Sequence, residues 1–374
     1  MERIEWQDAG ETFRLAWRSL AGLPPPARVV PADDAITADA AFRLASQGSG
    51  LLWRGDYHGA KHLLEAMARR IDRERRASAD GMPDPQAFHR HRAAQAQRAR
   101  TLGRLLIPLA DDYAIPLRRA PDVRQACQEA YGDWIEPCAI SLRELLGVIG
   151  AHEWQRKGVF IPALGAHIHP HYGVFSPLRG EYLDLVAAAP LPAGAETAFD
   201  IGTGSAVIAA ILARRGIARI VATDTEPRAL ACAADNLARL GLGDRVELKH
   251  ADLFPEGRAS LVVCNPPWLP GRASTLLERA SYDPDSRMLK GFLHGLAEHL
   301  LPGGEGWLIL SDFAERIGLR REGQLQDLIA AGGLRVLSRL ETRPRHARAS
   351  NPLDPLHFAR SAEVTSLWRL APAI

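Results

Sequence analysis

The run Leu261-Val262-Val263-Cys264-Asn265-Pro266-Pro267-Trp268 ends an apolar stretch in a corner rich in hydrogen-bond acceptors. Two successive prolines fix φ and lack N–H donors, so the corner is rigid and displays carbonyls. The Asn265 side-chain oxygen and the Pro266 carbonyl can accept the two hydrogens of a planar NH₂ group, with the Trp268 ring stacked on the flat group that carries it. The nitrogen lone pair is then aimed at an electrophile. Upstream, Ala198-Phe199-Asp200-Ile201-Gly202-Thr203-Gly204-Ser205 reads as a strand ending in a glycine turn that opens a helix. Gly202 and Gly204 let backbone approach a ligand closely, and the helix start offers unpaired N–H groups. Dinucleotide sites use similar parts, and many such turns need glycine for geometry alone.

Two further acids follow at strand ends. Asp224 closes Ile220-Val221-Ala222-Thr223-Asp224 and stands 24 residues beyond Asp200, where a carboxylate can accept both hydroxyls of a ribose. Together with the glycine turn it predicts an adenosine-containing ligand. Asp252, in His250-Ala251-Asp252-Leu253-Phe254, can accept from an adenine amino group beside Leu253 and Phe254, or serve as a helix cap or turn residue.

The elements that must position these groups are an alternation of apolar runs and helical segments from about Thr197 onward, the pattern of a parallel sheet. Strands are expected at Thr197–Ile201, Arg219–Thr223, Arg245–His250, Ser260–Cys264, Gly306–Leu310, Leu334–Glu341 and Val364–Leu370. Helices are expected at Ser205–Arg215, Pro227–Leu240, Ser286–Leu300 and Arg320–Ala331, with the last two strands forming an antiparallel hairpin at one sheet edge. Residues 1–150 are rich in Ala, Leu and Arg at helical spacing and read as a mainly helical domain. Within them Leu105–Leu109 and Tyr113–Leu117 read as a short β-pair around Asp111-Asp112.

In this order the Asp-Ile-Gly-Thr-Gly turn, Asp224, Asp252 and Asn-Pro-Pro-Trp resemble a class I S-adenosylmethionine-dependent methyltransferase of the branch that methylates amide and amino nitrogens. The release-factor glutamine methyltransferases are closest in pattern, with methyltransferases of rRNA and DNA amino groups as cousins. The resemblance covers roughly residues 172–370 and implies a Rossmann-like seven-stranded catalytic domain over 197–374. Residues 151–196 would be a connector and cofactor lid, and 1–150 a substrate-recognition domain. It implies that Asp200, Gly202, Thr203 and Gly204 line the methionine end of S-adenosylmethionine. Asp224 would hold the ribose, Asp252 and Leu253 the adenine, and Asn265, Pro266, Pro267 and Trp268 the acceptor, with Asn265 also bordering the cofactor. Tyr172 and Phe175, in His171-Tyr172-Gly173-Val174-Phe175-Ser176-Pro177, match the segment that closes over the cofactor. The chain departs from the family at Ala206, where a third glycine is usual, at Trp268, where Tyr or Phe is commoner, and in its longer N-terminal half.

The expected acceptor is a glutamine-type amide in a protein. Alternatives are an adenine or guanine amino group in RNA or other nucleic acid, a small-molecule or peptide acceptor, and, outside enzymes, a catalytically silent scaffold. Transfer to a delocalised nitrogen needs positioning and acceptors that favour a more tetrahedral nitrogen, and no metal.

Other groups have blander readings. His167, His169 and His171 alternate along one face of an extended segment, a pattern compatible with a metal site, although Pro170 breaks the strand; histidines with other partners near the lid are the simpler expectation. Cys264 closes a strand buried on both faces, which favours packing over nucleophilic chemistry. Arg345, His346 and Arg348 lie in a polar connection that either solvates a loop or meets an acidic substrate. Tyr282–Ser286 either borders the acceptor pocket or caps the next helix.

Length and composition agree with two globular domains: 374 residues, 47% hydrophobic, 24% charged, net charge +2, with no 18-residue apolar run and no basic-then-apolar start. A cytoplasmic protein without membrane partners is expected. The four cysteines fit neither a zinc pattern nor a disulfide framework. Between Glu65 and Arg104 ten arginines face five acids, which reads as a solvated helix face or as a track for a phosphate backbone.

Overall fold

The computed structural model describes residues 2–77, 86–133, 136–177, 180–273, 278, 280–345, 351 and 354–373. The chain divides into two compact units, Met1–Glu153 and Trp154–Ile374.

In the first unit, helical residues outnumber strand residues by more than two to one, and the helices pack on one another around a six-stranded sheet. Its strands are β1 (Arg3–Asp8), β2 (Glu11–Trp17), β3 (Val29–Ala32), β4 (Gly50–Trp53), β5 (Leu105–Leu109) and β6 (Cys138–Ser141), in spatial order β1-β2-β6-β5-β4-β3. β3, β4 and β5 run parallel, while β6 is antiparallel to β5. The helices are α1 (Ala38–Ser46), α2 (Tyr57–Ala77), α3 (Ala87–Leu102), α4 (Arg124–Tyr131) and α5 (Leu142–Lys157). Helix is the larger share of residues 1–150, as expected, and a six-stranded sheet runs through them as well. β3, β4 and β6 have four residues each, too few to show a period, and all four residues of β4 are buried, so it reads as a helical fragment. The β-pair expected across Asp111-Asp112 does not form. β5 pairs instead with β4 and β6, and Tyr113 takes φ +66°, which turns the chain out of an extended path.

The second unit opens with a short hairpin, β7 (Val159–Ile161) and β8 (Ala166–Ile168), then α6 (Glu181–Ala188). Seven strands follow as one sheet: β9 (Thr197–Ile201), β10 (Arg219–Asp224), β11 (Val246–His250), β12 (Ala259–Cys264), β15 (Leu300–Ser311), β16 (Leu334–Thr342) and β17 (Thr365–Pro372), in the order β11-β10-β9-β12-β15-β17-β16. A two-residue pair, β13 (Leu269–Pro270) with β14 (Tyr282–Asp283), stands apart. β17 is antiparallel to both its neighbours, so the expected hairpin is present with its second strand on the inside. The helices are α7 (Val207–Arg214), α8 (Pro227–Arg239), α9 (Arg287–Gly295), α10 (Phe313–Arg316), α11 (Gln324–Ala331) and α12 (His357–Arg360).

Helices on both faces explain the continuous apolar strands. Leu261, Val262, Val263 and Cys264 are all fully buried, and each of the three aliphatic side chains contributes about 1.5–3 kcal/mol by leaving water. The core thereby fixes β12, and with it the corner at its end. Among the described residues no helix is long and apolar enough to cross a membrane.

Candidate functional site

Ile201 of β9 pairs with Thr223 of β10 on one side and with Cys264 of β12 on the other. Gly202, Asp224 and Asn265 therefore leave the sheet at one level, from three neighbouring strands. The chain passes from β9 to β10 in one direction and returns to β12 in the other, and such a reversal of strand order leaves a crevice at the carboxyl edge.

The glycine turn is held by its own acids. Asp200, 1% exposed, accepts from the Thr203 hydroxyl at 2.7 Å and the Ala209 N–H at 3.1 Å. Burial pushes its carboxyl up to about 6, against the pull of those two donors, and the charge of Asp224 adds to the rise. Burial likewise raises Asp224, which accepts from the Gly204 N–H at 3.0 Å and the Glu226 N–H at 2.9 Å. Asp224 thus straps the turn and presents only its remaining acceptor capacity to a ligand. Gly202 has φ +72°, and a Cβ there would stand 2.5 Å from the Met288 methyl; Gly204 has φ +56° and open space where its Cβ would be. That space is where backbone can meet a ligand.

Asp252, two residues past β11, is exposed and paired with Arg287. Leu253 follows at φ +72°, its carbonyl accepting the Thr223 hydroxyl at 2.6 Å, and α9 lies so close that a Cβ on Gly291 would meet Leu253 Cδ1 at 2.5 Å.

At the corner, Asn265 Oδ1 accepts the Trp268 indole N–H at 2.9 Å. The Asn265 oxygen expected to accept from a ligand thus already accepts one hydrogen bond within the chain. Because an indole can only donate, this bond fixes which way the amide points. Trp268 lies half-buried with its ring edge-on to Tyr182, 6.3 Å between centroids, and its carbonyl accepts from Arg320 at 3.3 Å. Pro266 is buried and Pro267 half-buried.

The segment around His169 is tied to the turn through α8. Asn236, 1% exposed, accepts the His169 N–H at 2.7 Å and donates to the Ser205 carbonyl at 3.2 Å. Tyr172 is half-buried and Phe175 is 37% exposed, so Phe175 does not sit in the core of the site. The three histidines diverge: His167 lies against the Phe160 ring, His169 Nδ1 bonds the Gln155 carbonyl at 2.7 Å, and His171 Nε2 is 3.4 Å from Asp235. Among the described residues no three His, Cys, Asp or Glu groups gather as metal ligands. Cys264 is fully buried, which keeps its thiol protonated and unreactive. Asp283 caps α9 by accepting the Met288 and Leu289 N–H groups at 3.0 and 3.1 Å, so the Tyr282–Ser286 segment performs the capping role. Arg345 bonds Glu181 and lies 3.9 Å from Asp184, both on α6; His346 and Arg348 are outside the described residues.

Residues 166–322 match the model of the family described as Methyltransferase small domain. The release factor glutamine methyltransferase of Cereibacter sphaeroides is 35% identical over 174 residues, 42% of this chain and 60% of that protein, so the chain spans three fifths of that relative. The ribosomal protein uL3 glutamine methyltransferase of Bordetella pertussis is 32% identical over 31% of this chain and 41% of its own length. The tRNA1(Val) (adenine(37)-N6)-methyltransferase of Shewanella loihica is 30% identical over 192 residues, 48% of this chain and 76% of that enzyme. The chain belongs to the class I S-adenosylmethionine-dependent methyltransferases.

In this methyltransferase several residues at the site carried no motif signal. Tyr182, 3% exposed and with its pKa raised by burial, has the Asn265 side chain as a partner and the Trp268 ring beside it. Arg320, 5% exposed, joins Trp268 to Glu315. Met288 closes over Gly202, and Asn236 joins His169 to the glycine turn at Ser205. Of these only Arg320, a charge within an expected helix, offered any hint in the sequence.

Proposed function

We propose that this chain transfers the methyl group of S-adenosylmethionine to a planar amide or amino nitrogen, with a glutamine-type side chain in a protein as acceptor, in the cytoplasm. The observation that carries the reading is the register of Cys264 with Ile201, which sets the Asn-Pro-Pro-Trp corner directly beside the glycine turn.

The residues present fit the cofactor. Gly204 leaves open space, and Asp200 is a buried acid with no cation among its described partners, suited to a ligand bearing positive charge. Asp200, Gly202, Thr203 and Gly204 would hold the methionine end, Asp224 the ribose, and Asp252 with Leu253 the adenine, while Tyr172 and Phe175 cover it. When bound, S-adenosylmethionine supplies an electrophilic methyl on a sulfonium. Asn265 Oδ1 and the Pro266 carbonyl would accept the two N–H bonds of the acceptor and favour a tetrahedral nitrogen. Trp268, fixed by Asn265 and Arg320, offers its ring to the amide or base plane, and Tyr182 backs that ring against water. The carbon–nitrogen bond forms as the carbon–sulfur bond breaks, and the proton leaves the methylated nitrogen afterwards, so no strong base is required of the chain.

A protein acceptor is supported by the glutamine methyltransferases among the relatives; an amino group in RNA is the second reading, favoured by the tRNA adenine relative with its larger coverage. Incubation of the purified chain with methyl-labelled cofactor and cell extract, followed by digestion, separates them. Label released by protease alone is the expected result, and label released by nuclease overturns the protein acceptor. Calorimetric titration with S-adenosylmethionine disposes of the scaffold alternative if binding is seen.

A further inference from the structure

We propose that the first turn of α9 forms a wall of the adenosine site and that Met288 touches the bound cofactor there. This rests on the reading of the glycine turn as the place where S-adenosylmethionine binds, and adds to it a helix that no motif of the sequence marks.

α9 meets three of the residues expected to hold the cofactor. Arg287 pairs with Asp252. A Cβ on Gly291 would stand 2.5 Å from Leu253 Cδ1, so the bare glycine lets α9 lie directly on Leu253. The Met288 methyl lies where a Cβ on Gly202 would come within 2.5 Å of it. Gly202 follows β9 and Asp252 follows β11, while β10, which ends in Asp224, lies between those two strands. Two adjacent residues of one turn therefore reach the strand ends on both sides of the strand that carries the ribose acid.

Packing alone gives Met288 little to do. Leu289, Phe292 and Leu293 are each 1% exposed or less and anchor α9 on the sheet, whereas Met288 is half-buried at the rim. Asp283 accepts the Met288 and Leu289 N–H groups, so the backbone of the turn is fixed while the thioether chain keeps its rotatable bonds. Such a side chain adapts to a flat apolar surface, and its sulfur packs favourably against aromatic rings, of which adenine is one.

The test uses the full-length chain. If the parent shows no calorimetric binding of S-adenosylmethionine, the reading of the glycine turn fails and this proposal falls with it. Given binding, Met288→Ala should weaken S-adenosylmethionine and methylthioadenosine alike by about tenfold, the scale of one apolar side chain leaving water. Methylthioadenosine lacks the amine and carboxylate of the methionine end, so an equal loss for both ligands assigns the contact to the adenosine. Met288→Leu, similar in volume, should stay within about threefold of the parent. Parent-like affinities in Met288→Ala, or a loss confined to S-adenosylmethionine, overturn the proposal.

A measurement on the unaltered chain covers a variant that fails to fold. Hydrogen peroxide gives one oxygen to a thioether and leaves as water. The rate of that oxidation at Met288, read by peptide mass spectrometry, should fall at least about threefold when S-adenosylmethionine saturates the protein, because susceptibility follows exposure. Met67, fully buried in the first unit, is the control whose rate should not change. An unchanged rate at Met288 in the saturated protein overturns the contact while leaving the glycine-turn reading intact.

Discussion

Two helix starts above parallel strands, one in each unit, are completed in opposite ways. At the start of α2, Asp56 accepts the His58 N–H at 2.9 Å and the Arg119 guanidinium at 2.7 Å, while Asp34 accepts the Asp56 N–H at 2.9 Å. A Cβ on Gly59 would stand 2.1 Å from Asp34, so the chain's own acid sits directly against this helix start. At the start of α7, Gly204 faces open space, and Asp200 is buried with two donors and no cation among its described partners. The Arg119 hydrogen bond holds Asp56 down at about 2, whereas burial lifts Asp200 to about 6. A helix start satisfied by its own side chains is a structural joint. One that keeps space and an uncompensated acid is suited to receive a charged ligand.

Substitutions at the two glycines should separate these roles. Gly204→Val places a side chain in the open space at φ +56° and is expected to weaken S-adenosylmethionine binding by about a hundredfold, with a stability cost of about 1–2 kcal/mol. Gly59→Ala displaces the Asp34 carboxylate and should lower stability by about 1–2 kcal/mol, with cofactor affinity unchanged. Calorimetry and thermal melts on both variants decide the matter; a cofactor defect in Gly59→Ala would erase the distinction. At the neighbouring corner, Asn265→Ala should reduce transfer by at least about a hundredfold while binding of the cofactor persists.

The two acids predict opposite responses to pH. Asp200 titrates near 6 when folded against about 4 when unfolded, so its contribution is fully present below about pH 4 and is lost as pH rises through 6, a change of about 2–3 kcal/mol. Asp200→Asn should flatten that limb of a stability profile. Cofactor affinity should rise between pH 5 and 7.5, because a cationic ligand favours the ionised carboxylate. Asp56, depressed to about 2, contributes stability above about pH 4 that is lost as pH falls toward 2, and Arg119→Ala should weaken that acid limb alone.

The sheet that carries the site was legible because fully buried parallel strands are continuous Val, Ile and Leu runs, and all seven runs form strands close to their expected bounds. β15 begins at Leu300 rather than Gly306, since Pro302, Gly303 and Gly304 look like a loop while a bulge keeps the pairing with β12. The first unit's sheet was less legible: only β1 shows the apolar–polar alternation of a half-buried strand, β2 loses it at Leu15-Ala16-Trp17, and three other strands are four residues long. At the site, the glycine turn, Asp224 and the corner are local spacings that a sequence displays. Tyr182, Met288 and Arg320 reach it across 83, 86 and 52 residues from Asn265, Gly202 and Trp268 only through folding, and no period or motif announces them.

The smallest effect concerns strain on the side of the comparison that stays open. Ala206, 1% exposed, caps α7 at φ +60°, ψ +20°, a left-handed conformation that costs an L-residue about 1–2 kcal/mol more than glycine. Glycine recovers that cost but adds freedom to the unfolded chain, worth about 0.4–1 kcal/mol the other way. Ala206→Gly should therefore stabilise by up to about 1 kcal/mol, raising the melting temperature by a few degrees, with cofactor affinity within about twofold of the parent. A loss of stability would mean that the alanine methyl, packed in the core beneath the turn, outweighs the strain. The glycine turn would then owe its shape to packing from below as well as to the acids that strap it.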